Sequence, residues 1–269
     1  MLEIANAALP GHVFSNPIET FGKSCLCGAS GHQAIAGAAR ELLAVAEDTG
    51  SAPGRALATL LLGEVELFSG RLDAAEQLLT SADQLHADVG APAGRVLSLQ
   101  RLAEVALARG HKWRAGRLAK RGLKIAEPTW LAPHLLIRMQ GVAVVAATDA
   151  NDVADAIKAG DHWLAQHNVC QLCSMGFRVA SSIALAEAGE LDQASRRINE
   201  AERLAGMWQG GPWVAAVWEA RGVHRHAQED LARASALFQE AAARFGELGR
   251  SHDQARCLSR ASGLHRAPE

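Results

Sequence analysis

The chain contains no tyrosine, and its phenylalanines and tryptophans together make up only 4% of 269 residues. A β-rich core draws heavily on aromatic and β-branched side chains, so this scarcity argues against a sheet. Neither sign of charge dominates: 27 lysines and arginines stand against 29 acids, a net charge of −2. No whole-molecule field therefore directs the protein to nucleic acid or to an anionic membrane. No uninterrupted apolar run approaches the roughly 20 residues needed to span a bilayer. The opening "MLEIANAALPGHVF" has no basic region before its short apolar stretch, and Pro10 interrupts it. It does not read as a secretory signal, and a cytoplasmic location is expected. Cysteine is scarce too, with five in the chain.

What is abundant is apolar and small. Hydrophobic residues make up 49% of the chain, enough to bury a core, and alanine and leucine dominate, as in close-packed helices. Five short stretches recur: "GRLDAA" from Gly70, "GHKWRA" from Gly110, "NDVADA" from Asn151, "GELDQA" from Gly189 and "EDLARA" from Glu229. Each ends in alanine (Ala75, Ala115, Ala156, Ala194, Ala234), and a spacing of about forty residues marks a helical repeat array. The leading glycine suits a left-handed helix C-cap, and the aspartates that follow suit the N-cap of the next helix. Seven positions before the turn stand Gly63, Ala103, Val144, Ser182 and Gly222, mostly small, which lets the two helices of a unit approach closely. Apolar residues at three- and four-residue steps flank every turn, as in "ALATLLLGEVELF" and "VASSIALAEA". The expected architecture is all-α: an α-solenoid of about five helical hairpins over residues 31–269. An unrepeated N-terminal segment, 1–30, precedes it, and the single helix "HDQARCLSRASGL" caps its end.

These features, carried mostly by "VWEARGVHRHAQEDLARASALFQEAAARFGELGRSHDQARCLSRA", resemble tetratricopeptide repeats. They are similar in particular to the longer-period repeat region of LuxR-type (MalT-like) bacterial transcriptional regulators. The resemblance implies a regulatory module that binds an inducer or protein partner along its concave face. The chain departs from that family in lacking the ATPase and DNA-binding modules. "FGKS" at Phe21–Ser24 has the tail of a phosphate loop without its glycine-rich lead-in.

Four of the five cysteines fall in two close pairs, Cys25 with Cys27 and Cys170 with Cys173. In a reducing compartment clustered thiols serve as metal ligands or redox groups more often than as structural disulfides. His167, Cys170 and Cys173 stand at steps of three, which on one helix would bring neighbouring side chains into contact. If the N-terminal segment folds back into the trough of the solenoid, Cys25, Cys27, Cys170 and Cys173 complete a four-thiolate zinc site, with His32 and His167 as reserve ligands. Four thiolates leave no open position, so such an ion would be structural. An iron–sulfur cluster takes the same ligands. A disulfide between the segments, or packing alone, are the other readings, and packing is the reading for Cys257.

The stretch "HKWRAGRLAKRGLK" holds six basic residues and no acid, with Arg114, Arg117, Arg121 and Lys124 along one face. It reads as the wet side of a second helix, without an aromatic platform beside it. Trp213 and Trp218, five apart, fall on different faces of one helix, so one could pack while the other faces the trough. No HExxH pair or nucleophile elbow is present, and nothing demands an enzyme. The expected function is a sensing module for a small molecule or peptide in the trough, with no membrane partner and no nucleic acid for this chain alone. The alternatives are a metal- or redox-responsive thiolate switch, or a metal-dependent enzyme with an open Cys/His site.

Overall fold

A computed structural model describes residues 32–207 and 211–264. Twelve helices and no strands occur among them. Helix α1 (His32–Asp48) precedes five hairpins: α2 (Ala52–Phe68) with α3 (Leu72–Asp88), α4 (Pro92–Ala108) with α5 (Lys112–Ala126), α6 (Ala132–Ala146) with α7 (Ala150–Gln166), α8 (Gln171–Glu187) with α9 (Leu191–Gly206), and α10 (Trp213–Ala227) with α11 (Leu231–Glu247). Helix α12 (Ser251–Gly263) closes the array, so the chain is a tetratricopeptide-like α-solenoid. The proposed N-terminal segment, with Cys25 and Cys27, lies outside the described residues.

The turns obey the repeat, with two departures. Gly70, Gly110 and Gly189 hold left-handed backbone at φ between 77° and 82°. At the fifth turn Glu229 takes the same conformation, φ 63°, although a Cβ disfavours it. At the third turn α6 ends at Ala146 and Ala147 is extended, so Asn151 lies inside α7 rather than at the turn. Asp149 is the cap there, its side chain accepting from the Asp152 N–H at 2.9 Å. Asp73 and Asp192 stand within the first helical turn, not at the N-cap; there they complement the positive end of the helix dipole.

The small positions before the turns do what their size suggests. A Cβ on Gly63 would stand 2.7 Å from Leu79, and one on Gly222 would stand 2.6 Å from the Phe238 ring. Leu79 and Phe238 are themselves fully buried and follow the turn alanines Ala75 and Ala234 by one helical turn. The first and fifth hairpins are therefore each locked by a large side chain seated on a glycine.

First helices form the inner layer of the solenoid: α2, α4, α6, α8 and α10 contact one another in succession, while the second helices stand farther apart. The tightest approach is α6 on α8, where a Cβ on Gly141 would lie 2.8 Å from the backbone N of Phe177. This closeness has a counterpart, because α7 packs on α6 and makes little contact with α8. Between α7 and α9 an outward cleft of about 470 Å³ remains, crossed by the paired hydrogen bonds of Arg197 with Asp161. At the other end α12 reaches back to α2, so the inner layer closes into a ring. No described helix is long and apolar enough to cross a membrane.

Candidate functional site

Two features stand out on the inner layer: a ladder of polar side chains and, at one end of it, a pair of thiols. The ladder starts with Arg101 of α4, which donates to Glu64 of α2 at 2.6 Å and to Glu104 of its own helix at 2.8 Å. Gln100 donates to Glu104 at 2.8 Å and accepts from Arg138 of α6, also at 2.8 Å. The same cross-helix arrangement recurs four units later, where Arg256 of α12 grips Glu219 of α10 through two bonds of 2.7 and 2.8 Å. Asp253 accepts from Arg250 at 2.5 Å and from Arg256 at 2.6 Å.

Burial makes this ladder consequential. Glu64, Gln100, Glu219 and Asp253 are all less than a tenth exposed. Carboxylates in such positions persist only because each is paired with a guanidinium, and removing one partner of a buried pair typically costs about 3–5 kcal/mol. Burial alone would push the Asp253 carboxyl up, yet Arg250 and Arg256 outweigh it and hold the group well below the usual carboxylate range. Phe68 joins the two halves of the ladder, with Arg250 3.9 Å and Arg101 4.9 Å from its ring centre.

The thiols stand at the start of α8. Cys170 is its N-cap and Cys173 its third residue, so both sulfurs sit on the first turn. Cys173 is buried and Cys170 half-buried. The neighbouring Cys173 thiol, against the penalty of burial, brings the Cys170 thiol down to about 5. The backbone N–H groups of Cys173 and Leu172 and the nearby His134 add to the same effect. Cys173 is pushed up by Cys170 beside it and by burial, while Arg138 acts against the rise. The Cys170 N–H also donates to His134 Nδ1 at 3.4 Å.

Of the expected metal ligands, the fold thus brings Cys170 and Cys173 together. His167 is separated from them by a break in the chain: α7 ends at Gln166, and His167 is its extended C-cap rather than part of one helix with the cysteines. Its ring stacks on Trp163, 3.8 Å between centroids, with Nδ1 3.1 Å from the Trp163 carbonyl. His32 begins α1, and Cys25 and Cys27 lie outside the described residues. Among the described residues no three His, Cys, Asp or Glu side chains gather as a metal cluster. Cys257 is fully buried in the cluster around Phe245, in keeping with packing.

The remaining expectations resolve as follows. Arg114 pairs with Glu76 and Arg121 with Asp83, both on α3, so half of the basic stripe ties two hairpins together. Arg117 does have an aromatic neighbour: its guanidinium lies 4.8 Å from the centre of Trp113, an indole 71% exposed. Trp213 and Trp218 are both partly buried, each packed against an apolar cluster. The polar ladder went unseen in the sequence. Its one sequence signal is the recurrence of Glu64 and Glu104 at the same repeat position, each preceded by a small residue.

No family model matches the chain, and no curated protein matches its sequence. Solved structures do. A Rap protein complexed with competence and sporulation factor aligns with TM-score 0.63 at 13% identity, covering 92% of this chain and 72% of that one. A tetratricopeptide repeat protein from Parabacteroides merdae ATCC 43184 aligns over 94% of this chain and 97% of its own, with TM-score 0.41 and 11% identity. At these identities the likeness to the Rap protein is one of fold: a tetratricopeptide-like helical repeat.

Proposed function

We propose that this chain is a regulatory module that binds an extended peptide along its inner layer. The observation that carries the reading is the ladder of Arg101, Gln100, Glu104 and Arg138, whose donors and acceptors line successive inner helices. An extended peptide offers amide groups at a regular spacing, and a row of amide, carboxylate and guanidinium side chains can satisfy them while apolar neighbours exclude water. The fold it shares with a Rap protein complexed with a separate factor supports this reading, as does the resemblance of its repeats to those of LuxR-type regulators. A peptide would exchange with the internal pairs. Glu104, with 26% of its side chain exposed, is the group placed to switch partners first.

A randomised hexapeptide library offered to the purified chain, with retained peptides read by mass spectrometry, tests this. Enriched sequences that lose at least tenfold in affinity for an Arg138→Gln variant support the reading. Peptides retained equally by the variant, or cross-linked only to the second helices, overturn it. The zinc expectation is not needed for peptide binding and is kept apart from it.

A further inference from the structure

The repeat is most irregular where its chemistry is most distinctive. Because α7 leans away from α8, the segment from His167 to Cys170 bridges two helices that barely touch, and this leaves Cys170 partly open at the rim. Behind it Cys173 is sealed among Ile137, Val144, Ile157 and Phe177. The two side chains are one helical turn apart, with the N–H groups of Leu172 and Cys173 at the same helix start as the outer sulfur. The Arg138 guanidinium lies near the inner one. An accessible sulfur at a helix start, a buried partner three residues on and a cation behind that partner are the parts a dithiol needs to trade electrons with a disulfide.

We propose that Cys170 and Cys173 form a thiol–disulfide exchange site that takes a low-molecular-weight aliphatic disulfide as oxidant, Cys170 attacking and Cys173 resolving. In the first step the Cys170 sulfur bonds to one sulfur of the disulfide and expels the other as a thiolate. Cys173 then gives its proton to water, and its sulfur, stabilised by Arg138, attacks Cys170 and expels the second thiolate. The protein dithiol is oxidised by two electrons and the disulfide is reduced to two thiolates. Arg138 also donates to Gln100, so the state of the sulfurs is linked to the polar ladder through one guanidinium. The proposal stands whether or not a peptide binds there.

The full chain, reduced and then exposed to oxidised glutathione, is digested and mapped by mass spectrometry. The expected product is an internal disulfide in the segment carrying Cys170 and Cys173. Cys173→Ser should stop at a glutathione adduct on Cys170, and Cys170→Ser should leave the segment unmodified, with unchanged circular dichroism establishing that both variants fold. Arg138→Met, which keeps both thiols, should slow conversion of the adduct to the disulfide about tenfold without changing the first step. Wild-type protein that halts at the adduct, or Arg138→Met that alters both steps alike, overturns the assignment. So does a preparation with one zinc per chain in which Cys170 is inert until the metal is chelated.

Discussion

The Arg250 guanidinium lies 3.9 Å from the centre of the Phe68 ring, across 182 positions of sequence. Phe68 ends the first inner helix and Arg250 caps the last, so this contact is where the ring of helices shuts. Solenoids without such closure gain stability only from neighbour to neighbour. Here the two ends should support each other. Phe68→Leu keeps apolar bulk but removes the face that both cations use, and is expected to cost about 1–2 kcal/mol. Guanidinium titration followed by circular dichroism should show an earlier and broader transition than in the parent. An unchanged midpoint would mean that the contact contributes nothing.

Two glycines give opposite expectations. A methyl on Gly141 would press on the backbone of Phe177 and Gly176, which cannot move without shifting α8, and Gly141→Ala should destabilise by roughly 2–3 kcal/mol. A methyl on Gly122 would meet the flexible side chain of Met139, closest at its terminal carbon, 2.5 Å away. Gly122→Ala is expected to be near neutral, since the helical gain of about 0.5–1 kcal/mol offsets the repacking. Urea midpoints of the two variants separate these effects.

Glu229 occupies the left-handed position that glycine fills at three equivalent turns. Glu229→Gly should relieve the Cβ penalty and raise stability by roughly 0.5–1 kcal/mol after the greater unfolded-state freedom of glycine is counted. Thermal unfolding by calorimetry provides the measurement.

Acid should act in two steps, at His86 first and at the closed end only at lower pH. Asp253 has a folded pKa below its unfolded value of about 3.9, so its pairing stabilises fully above that value. The contribution falls away as pH drops from about 4 toward the folded value. His86, buried against Gly94 and bonded at Nδ1 to the Ala82 carbonyl, is lowered by burial. Its share is complete above the unfolded value of about 6.5 and erodes below it. Asp253→Asn should therefore flatten the lower limb of the stability curve and leave the His86 share of the upper limb in place, while lowering the neighbouring His252 further. Urea titrations at stepped pH would check both limbs.

Much of this architecture is legible in the chain itself. The forty-residue recurrence locates all five hairpins, because a small residue after the turn is a local requirement of each one, buried at Ala75, Ala115, Ala194 and Ala234. The third turn misleads, since Asp149 captures the cap and no glycine marks the break, so the pattern is read three residues late. The spacing from His167 to Cys173 misleads for a similar reason: equal steps imply one helix, yet the chain leaves α7 and enters α8 between the histidine and the cysteines. The ladder of Glu64, Arg101, Gln100 and Arg138 could not be read at all. Its members are ordinary helix-surface residues until curvature stacks one unit on the next, and curvature is a sum over many small packing choices.

The stack of Trp163 on His167 gives this molecule an optical handle. Indole emission is sensitive to an imidazole held against its face, and once the other five tryptophans are replaced by phenylalanine, no tyrosine remains to overlap its signal. Trp163 lies in the last turn of α7, and its partner His167 stands three residues before Cys170 on the backbone that links α7 to α8. Any rearrangement of that bridge must lift or slide one ring over the other, so its motion can be followed by fluorescence without attaching a dye.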